Sequence, residues 1–194
     1  AEGGGQVGAG MYVAGSLVTC ALALVITLPL SIASAIFMTE IATPRTRRLI
    51  QPAIELFTGI PSVVYGFVGM TVLIPFLRRI FPMPFGFSVL AAGIVLAVMI
   101  FPTITTMAAD AMTAVPKAWR EASFGLGATR WETIAHVVLP AAKGGIFTGI
   151  ILGLARALGE ALAVAMVIGQ MKVFPTSLFL PASTMTTAIS ADMG

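Results

Sequence analysis

Between Gly3 and Thr39 the chain carries no charged residue, and three further apolar runs, 49–77, 87–109 and 144–171, hold only Glu55, Arg156 and Glu160 between them. A helix needs roughly 20 apolar residues to cross a bilayer, and a longer run crosses with some tilt. With 11–38 as the first, these four runs predict an all-α chain folded as a polytopic bundle of transmembrane helices.

Composition supports that prediction. The 194 residues are 58% hydrophobic and 10% charged, whereas a soluble domain carries about 25% charged residues. A water-soluble enzyme is excluded, and no separate soluble domain of useful size fits between the spans. The net charge of +3 is spread over eleven basic residues interrupted by apolar runs, so there is no phosphate-tracking stripe for nucleic acid. Cys20 is the single cysteine and rules out an intrachain disulfide. No basic region precedes the first run, which therefore does not read as a signal peptide as it stands; the chain looks like a piece of a longer protein.

Lys and Arg accumulate in cytoplasmic loops. Arg45, Arg47 and Arg48 follow the first run, and Lys117, Arg120, Arg130 and Lys143 follow the third. The opposite side has Arg78, Arg79 and Lys172. The two richer loops are expected to face the cytoplasm, and the N-terminus and an interfacial segment at 172–194 to face outward.

The segment 110–143 breaks the hydrophobic pattern. Pro116 suits a helical first turn and Gly125 and Gly127 an ending, predicting a short helix over 117–126. A second helix over 129–138 would place Trp131, Ile134 and Val138 on one face, with Pro140 marking the start of the next span. The alternative is an amphipathic loop that merely joins two spans.

Within this segment Glu121, Ala122, Ser123, Gly127, Val137, Leu139 and Pro140 resemble the EAA signature of membrane subunits of ATP-binding-cassette (ABC) importers. Ser123 stands where alanine is usual and Val137 where isoleucine is commoner. Together with Gly59–Phe67 and Leu154–Val164, the segment is similar to the phosphate-specific branch of these permeases, and the run ending Val167-Ile168-Gly169-Gln170 is closer to its C-type subunit. The resemblance covers nearly the whole chain from Met11. It implies the type I (MetI-like) permease core with a terminal span missing at each end. It also implies a multi-pass inner-membrane location in a bacterium or archaeon. The implied partners are an A-type permease, two ATP-hydrolysing subunits that grip the coupling segment, and an external phosphate-binding protein. The implied cargo is inorganic phosphate, moved by alternating access. Permeases for sulfate or molybdate are the nearest alternative, and an ion-coupled carrier or channel the alternative of another class.

Arg156 and Glu160 are four residues apart within the run 144–171, so on a helix they lie on one face. Charges near mid-membrane cost about 2.5–3.5 kcal/mol each on insertion scales, so they must face protein or water. An internal ion pair that locks packing is one reading. The other puts Arg156 on the translocation path, where a guanidinium holds a tetrahedral oxyanion through paired hydrogen bonds, and makes Glu160 a gate or a proton acceptor. Pro61 frees the carbonyl of Phe57, so 59–65 is expected to be a kink or hinge, with Thr58, Ser62 and Tyr65 as hydroxyl donors to a passing oxyanion. Glu55 reads as interfacial. Gly145, Gly149 and Gly153 recur at the spacing that lets helices approach closely. No glycine-rich nucleotide loop, metal-ligand cluster or Ser/His/Asp set occurs. The chain is therefore expected to need no cofactor and to catalyse nothing itself.

Overall fold

The computed structural model describes residues 8–81, 86–171 and 177–192; Lys172 lies outside them. Among the described residues the regular structure is helical, as lipid demands of a spanning chain whose backbone must pair internally. The α-helices are α1 (Gly8–Ile36), α2 (Pro44–Gly59), α3 (Ser62–Val68), α4 (Ile74–Ile80), α5 (Val89–Thr113), α6 (Lys117–Gly125), α7 (Arg130–Thr133), α8 (Leu139–Gly159), α9 (Leu162–Ile168) and α10 (Met185–Asp192). Wide π turns extend α1 to Ile41, join α3 to α4 and join α7 to α8. Among the described residues, four helical stretches are long and apolar enough to cross a membrane: Gly10–Ile41, Ser62–Ile80, Val89–Thr113 and Arg130–Gly159.

Two of the expected spans are divided differently. The run 49–77 is not one helix. It breaks between Gly59 and Ser62, where Pro61 is extended (ψ 141°) and starts α3, and α2 stands apart as an amphipathic helix. Proline has no N–H to continue the ladder from α2, which makes this a full break instead of a kink. The run 144–171 is likewise not one helix. Its helix begins far earlier, at Arg130, and stops at Gly159. Pro140 stands in the first turn of α8 without interrupting the crossing helix, because the π turn Ile134–Val138 just before it contains His136, whose carbonyl the proline ring would strike in a regular α-turn. Pro75 stands in the same relation to Thr71 in the turn Gly69–Leu73.

The chain divides into two compact units, one formed by Ala1–Thr27, Ile60–Met99 and Leu154–Gly194, the other by Leu28–Gly59 and Ile100–Gly153. In the first, α3 packs on α9. A Cβ at Gly66 would lie 2.9 Å from Ala163 Cα, so only glycine permits that approach. Thr27 Oγ1 donates to the Ala97 carbonyl at 3.0 Å, pinning α1 to α5 by a polar bond. The chain after α9 returns to α5, whose free N-terminal amides at Val89 and Leu90 donate to the carbonyls of Leu180 and Leu178.

In the second unit a core of Ala35, Ile36, Ala108, Met112, Ile134 and Val138, among others, joins the ends of α1 and α5 to the start of the α7–α8 helix. Apolar contact with lipid is no worse than apolar contact with protein, so close packing must hold such helices together. Gly149 and Gly153 supply it, since a Cβ at either would come within 2.8 Å of Met107 or Ile104 on α5.

Candidate functional site

In the first unit, Arg156 occupies the last turn of α8, where a cation complements the helix dipole. Tyr65 is buried on α3, and Tyr65 and Arg156 each engage a partner. Glu160 lies beyond the end of α8, and sharing a helix face with Arg156 does not describe it. Gly159 is a poor helix former, and after it the Glu160 carboxylate turns to the next element. Its Oε1 accepts from the Ala163 N–H at 3.1 Å, satisfying a first-turn amide of α9 that has no partner within the helix. The Glu160 carbonyl accepts from Thr186 Oγ1 at 3.0 Å. A cavity of about 10 Å³ beside it, lined among others by Ser16, Cys20 and Thr184, has room for about one water. Ser62 opens α3 in this unit, whereas Thr58 is an exposed residue of α2 in the other.

In the second unit, α6 ends in a turn built on Gly127. The Gly127 amide donates to the Phe124 carbonyl at 2.9 Å and the Ala128 amide to the Ser123 carbonyl at 3.2 Å, the paired bonds of a Schellman ending. This needs φ +86° at Gly127, a conformation costly for any residue with a Cβ. Thr129 then opens α7 with a capping box, its Oγ1 accepting from the Glu132 amide while Glu132 Oε2 accepts from the Thr129 amide at 2.7 Å. Ser123 and Thr133 hydroxyls meet at 2.9 Å across the two helices. Glu121 and Ala122 are exposed, Leu139 packs on the core and Pro140 is exposed. Ile134 and Val138 are buried, but Trp131, expected on the same face, is 64% exposed. Leu126 at 89% and Trp119 at 54% add to an uncovered apolar surface on this segment.

The model of the family described as "Binding-protein-dependent transport system inner membrane component" matches residues 27–191. This chain belongs to that family. The chain is 54% identical over 183 residues to the "Probable ABC transporter permease protein YqgH" of Bacillus subtilis, a match that covers 94% of this chain and 59% of that protein. It is 41% identical to the "Phosphate transport system permease protein PstC" of Pasteurella multocida (95% of this chain, 64% of that one) and 39% identical to PstC of Mesorhizobium japonicum (92% and 60%). It thus spans 59–64% of the length of these curated relatives. Among solved structures, the inward-facing MetNI methionine ABC transporter superposes with a TM-score of 0.62 at 25% identity, over 82% of this chain and 70% of that one. The MetI-like permease fold expected from the motifs is therefore present, and with four apolar helices the family makes this a multi-pass membrane protein.

Glu160 is drawn away from its helical neighbour Arg156 to the start of α9. Glu40 and Arg120 carried no signal in the sequence. Eighty residues separate them, yet they form an ion pair of 2.8 Å, with side chains 11% and 17% exposed.

Proposed function

We propose that the chain is the C-type permease subunit of an ATP-driven phosphate importer of a bacterial or archaeal inner membrane. It works with an A-type permease, two ATP-hydrolysing subunits and an external phosphate-binding protein. The observation that carries this reading is the identity of 39–41% with proteins named as phosphate permeases over more than nine-tenths of the chain. In this reading the loops that contain Arg45 and Lys117 face the cytoplasm. The exposed apolar surface of α6 and its turn receives an ATPase subunit, with Glu121, Ala122, Ser123, Gly127, Leu139 and Pro140 forming and holding the docking segment. ATP hydrolysis resides in that partner, and this chain supplies motion and a path.

On the path, Arg156 meets the anion. A planar guanidinium offers parallel N–H donors to two oxygens of a tetrahedral oxyanion. Tyr65 and Ser62 contribute hydroxyls. Glu160 cannot ligate an anion directly, since like charges repel. Its place at the α8–α9 break suits it to steer the guanidinium or to take a proton from hydrogen phosphate while the cavity changes its open side.

Uptake of radiolabelled phosphate into proteoliposomes holding the assembled transporter tests this reading. Uptake should require ATP and resist a large excess of sulfate or molybdate. Arg156→Lys, which keeps the charge and loses the fork, should lower uptake by about tenfold or more, the scale of one lost charge-assisted bond. Uptake driven by an ion gradient without ATP would replace the importer by a carrier. Displacement of phosphate by sulfate would replace the substrate.

A further inference from the structure

Helix α6 buries no residue, so apolar packing does not hold it to the membrane helices. Of its nine residues only Arg120 and Ser123 are partly buried, and three positions apart they share one face. Ser123 meets Thr133, at the start of the α7–α8 helix. Arg120 does more. Its Nη1 donates to the Val115 carbonyl at 2.6 Å, and its Nη2 donates to the Met112 carbonyl at 2.8 Å and to Glu40 Oε1 at 2.8 Å. Met112 is in the last turn of α5, where carbonyls have no partner within the helix and the dipole favours a cation. Glu40 is in the π turn that ends α1, and its own carbonyl accepts from Arg130 Nη2. One guanidinium thus ties α6 to the ends of two long helices, and Arg130 adds the beginning of a third.

We propose that Arg120, held by Glu40, is the positioning residue that passes displacement of α6 to α1 and α5. This rests on the reading that an ATPase subunit grips α6. A rigid, charged fork bonded to three acceptors holds α6 to them. A lysine at the same place offers one compact charge and cannot span the set. Because one acceptor is the Met112 carbonyl in the last turn of α5 and another the Val115 carbonyl just after it, movement of Arg120 acts on the backbone at the end of α5. The joint belongs to the second unit and Arg156 and Tyr65 to the first, so its loss should separate ATP hydrolysis from transport.

Arg120→Gln and Glu40→Gln in the assembled transporter test the joint through three measurements on one preparation: ATP hydrolysis, phosphate uptake, and hydrogen exchange of the α6 amides. Arg120→Gln should hold hydrolysis within about twofold, lower phosphate moved per ATP by about tenfold, and speed α6 exchange by about tenfold, the scale of lost charge-assisted bonds. Glu40→Gln, which leaves both carbonyl bonds, should lower the ratio by about threefold on the same scale. An unchanged ratio of uptake to hydrolysis in Arg120→Gln overturns the proposal. If that variant does not assemble, an unchanged ratio in Glu40→Gln overturns it. A wild-type transporter that hydrolyses ATP but moves no phosphate overturns the substrate reading instead, and the joint then stands or falls on α6 exchange in Arg120→Gln against wild type.

Discussion

At Glu160 one carboxylate caps α9 and, in the proposed function, brings a negative charge near the path, and two substitutions separate these roles. Glutamine keeps an oxygen that can accept from the Ala163 N–H, while alanine removes it. Glu160→Gln should melt with wild type yet lose uptake by about tenfold, as expected when a functional charge is removed. Glu160→Ala should in addition cost about 1 kcal/mol, the usual worth of an N-terminal cap, read as a lower thermal midpoint of the assembled complex. Wild-type uptake in Glu160→Gln would leave only the cap. The rarity of charge inside apolar runs was enough to single out Arg156 and Glu160 in the sequence. Their separation by a helix break was not, because the residues after Gly159 are as apolar as those before it.

The α6–α7 corner shows how an element is set by a single backbone angle. A Cβ at Gly127 would meet nothing within 4 Å, while its φ of +86° lies where side chains are rarely found. Gly127→Ala should therefore destabilise the corner by about 1–2 kcal/mol through conformation alone. Gly127→Asn should cost less, because asparagine tolerates the left-handed region. Hydrogen exchange at the Gly127 and Ala128 amides would register the order glycine, asparagine, alanine. Equal rates in all three would assign this glycine to contact with a partner surface instead. The helix 117–126 was visible from Pro116, Gly125 and Gly127. The length of the helix after Thr129 was not. Hydropathy marks where lipid can lie against a chain, whereas helix ends are set by hydrogen bonding, and Arg130–Thr133 continues the helix through polar sequence beyond the apolar run.

For the whole molecule, orientation follows from two exposed positions. Lys143 lies in the run expected inside and Arg79 in the one expected outside, and the native Cys20 is buried, so thiol labelling starts from a low background. In intact cells, Lys143→Cys should resist a membrane-impermeant maleimide until the membrane is opened, and Arg79→Cys should react at once. The opposite pattern would invert the topology and place the α6 surface where no ATPase subunit can reach it.

The amino-acid sequence by itself determined the solvent of this protein, the four apolar runs long enough to cross it and the family motifs. Each of these depends on residues close together in the chain, on a count of charges or on an apolar run of a certain length. Tertiary structure decided that the crossing helix after Thr129 stops at Gly159, that Glu160 serves α9, and that Arg120 gathers Met112, Val115 and Glu40 into one joint. These depend on which distant groups can satisfy a helix end or a buried charge. Only the folded chain brings Glu40 within reach of a residue eighty positions away.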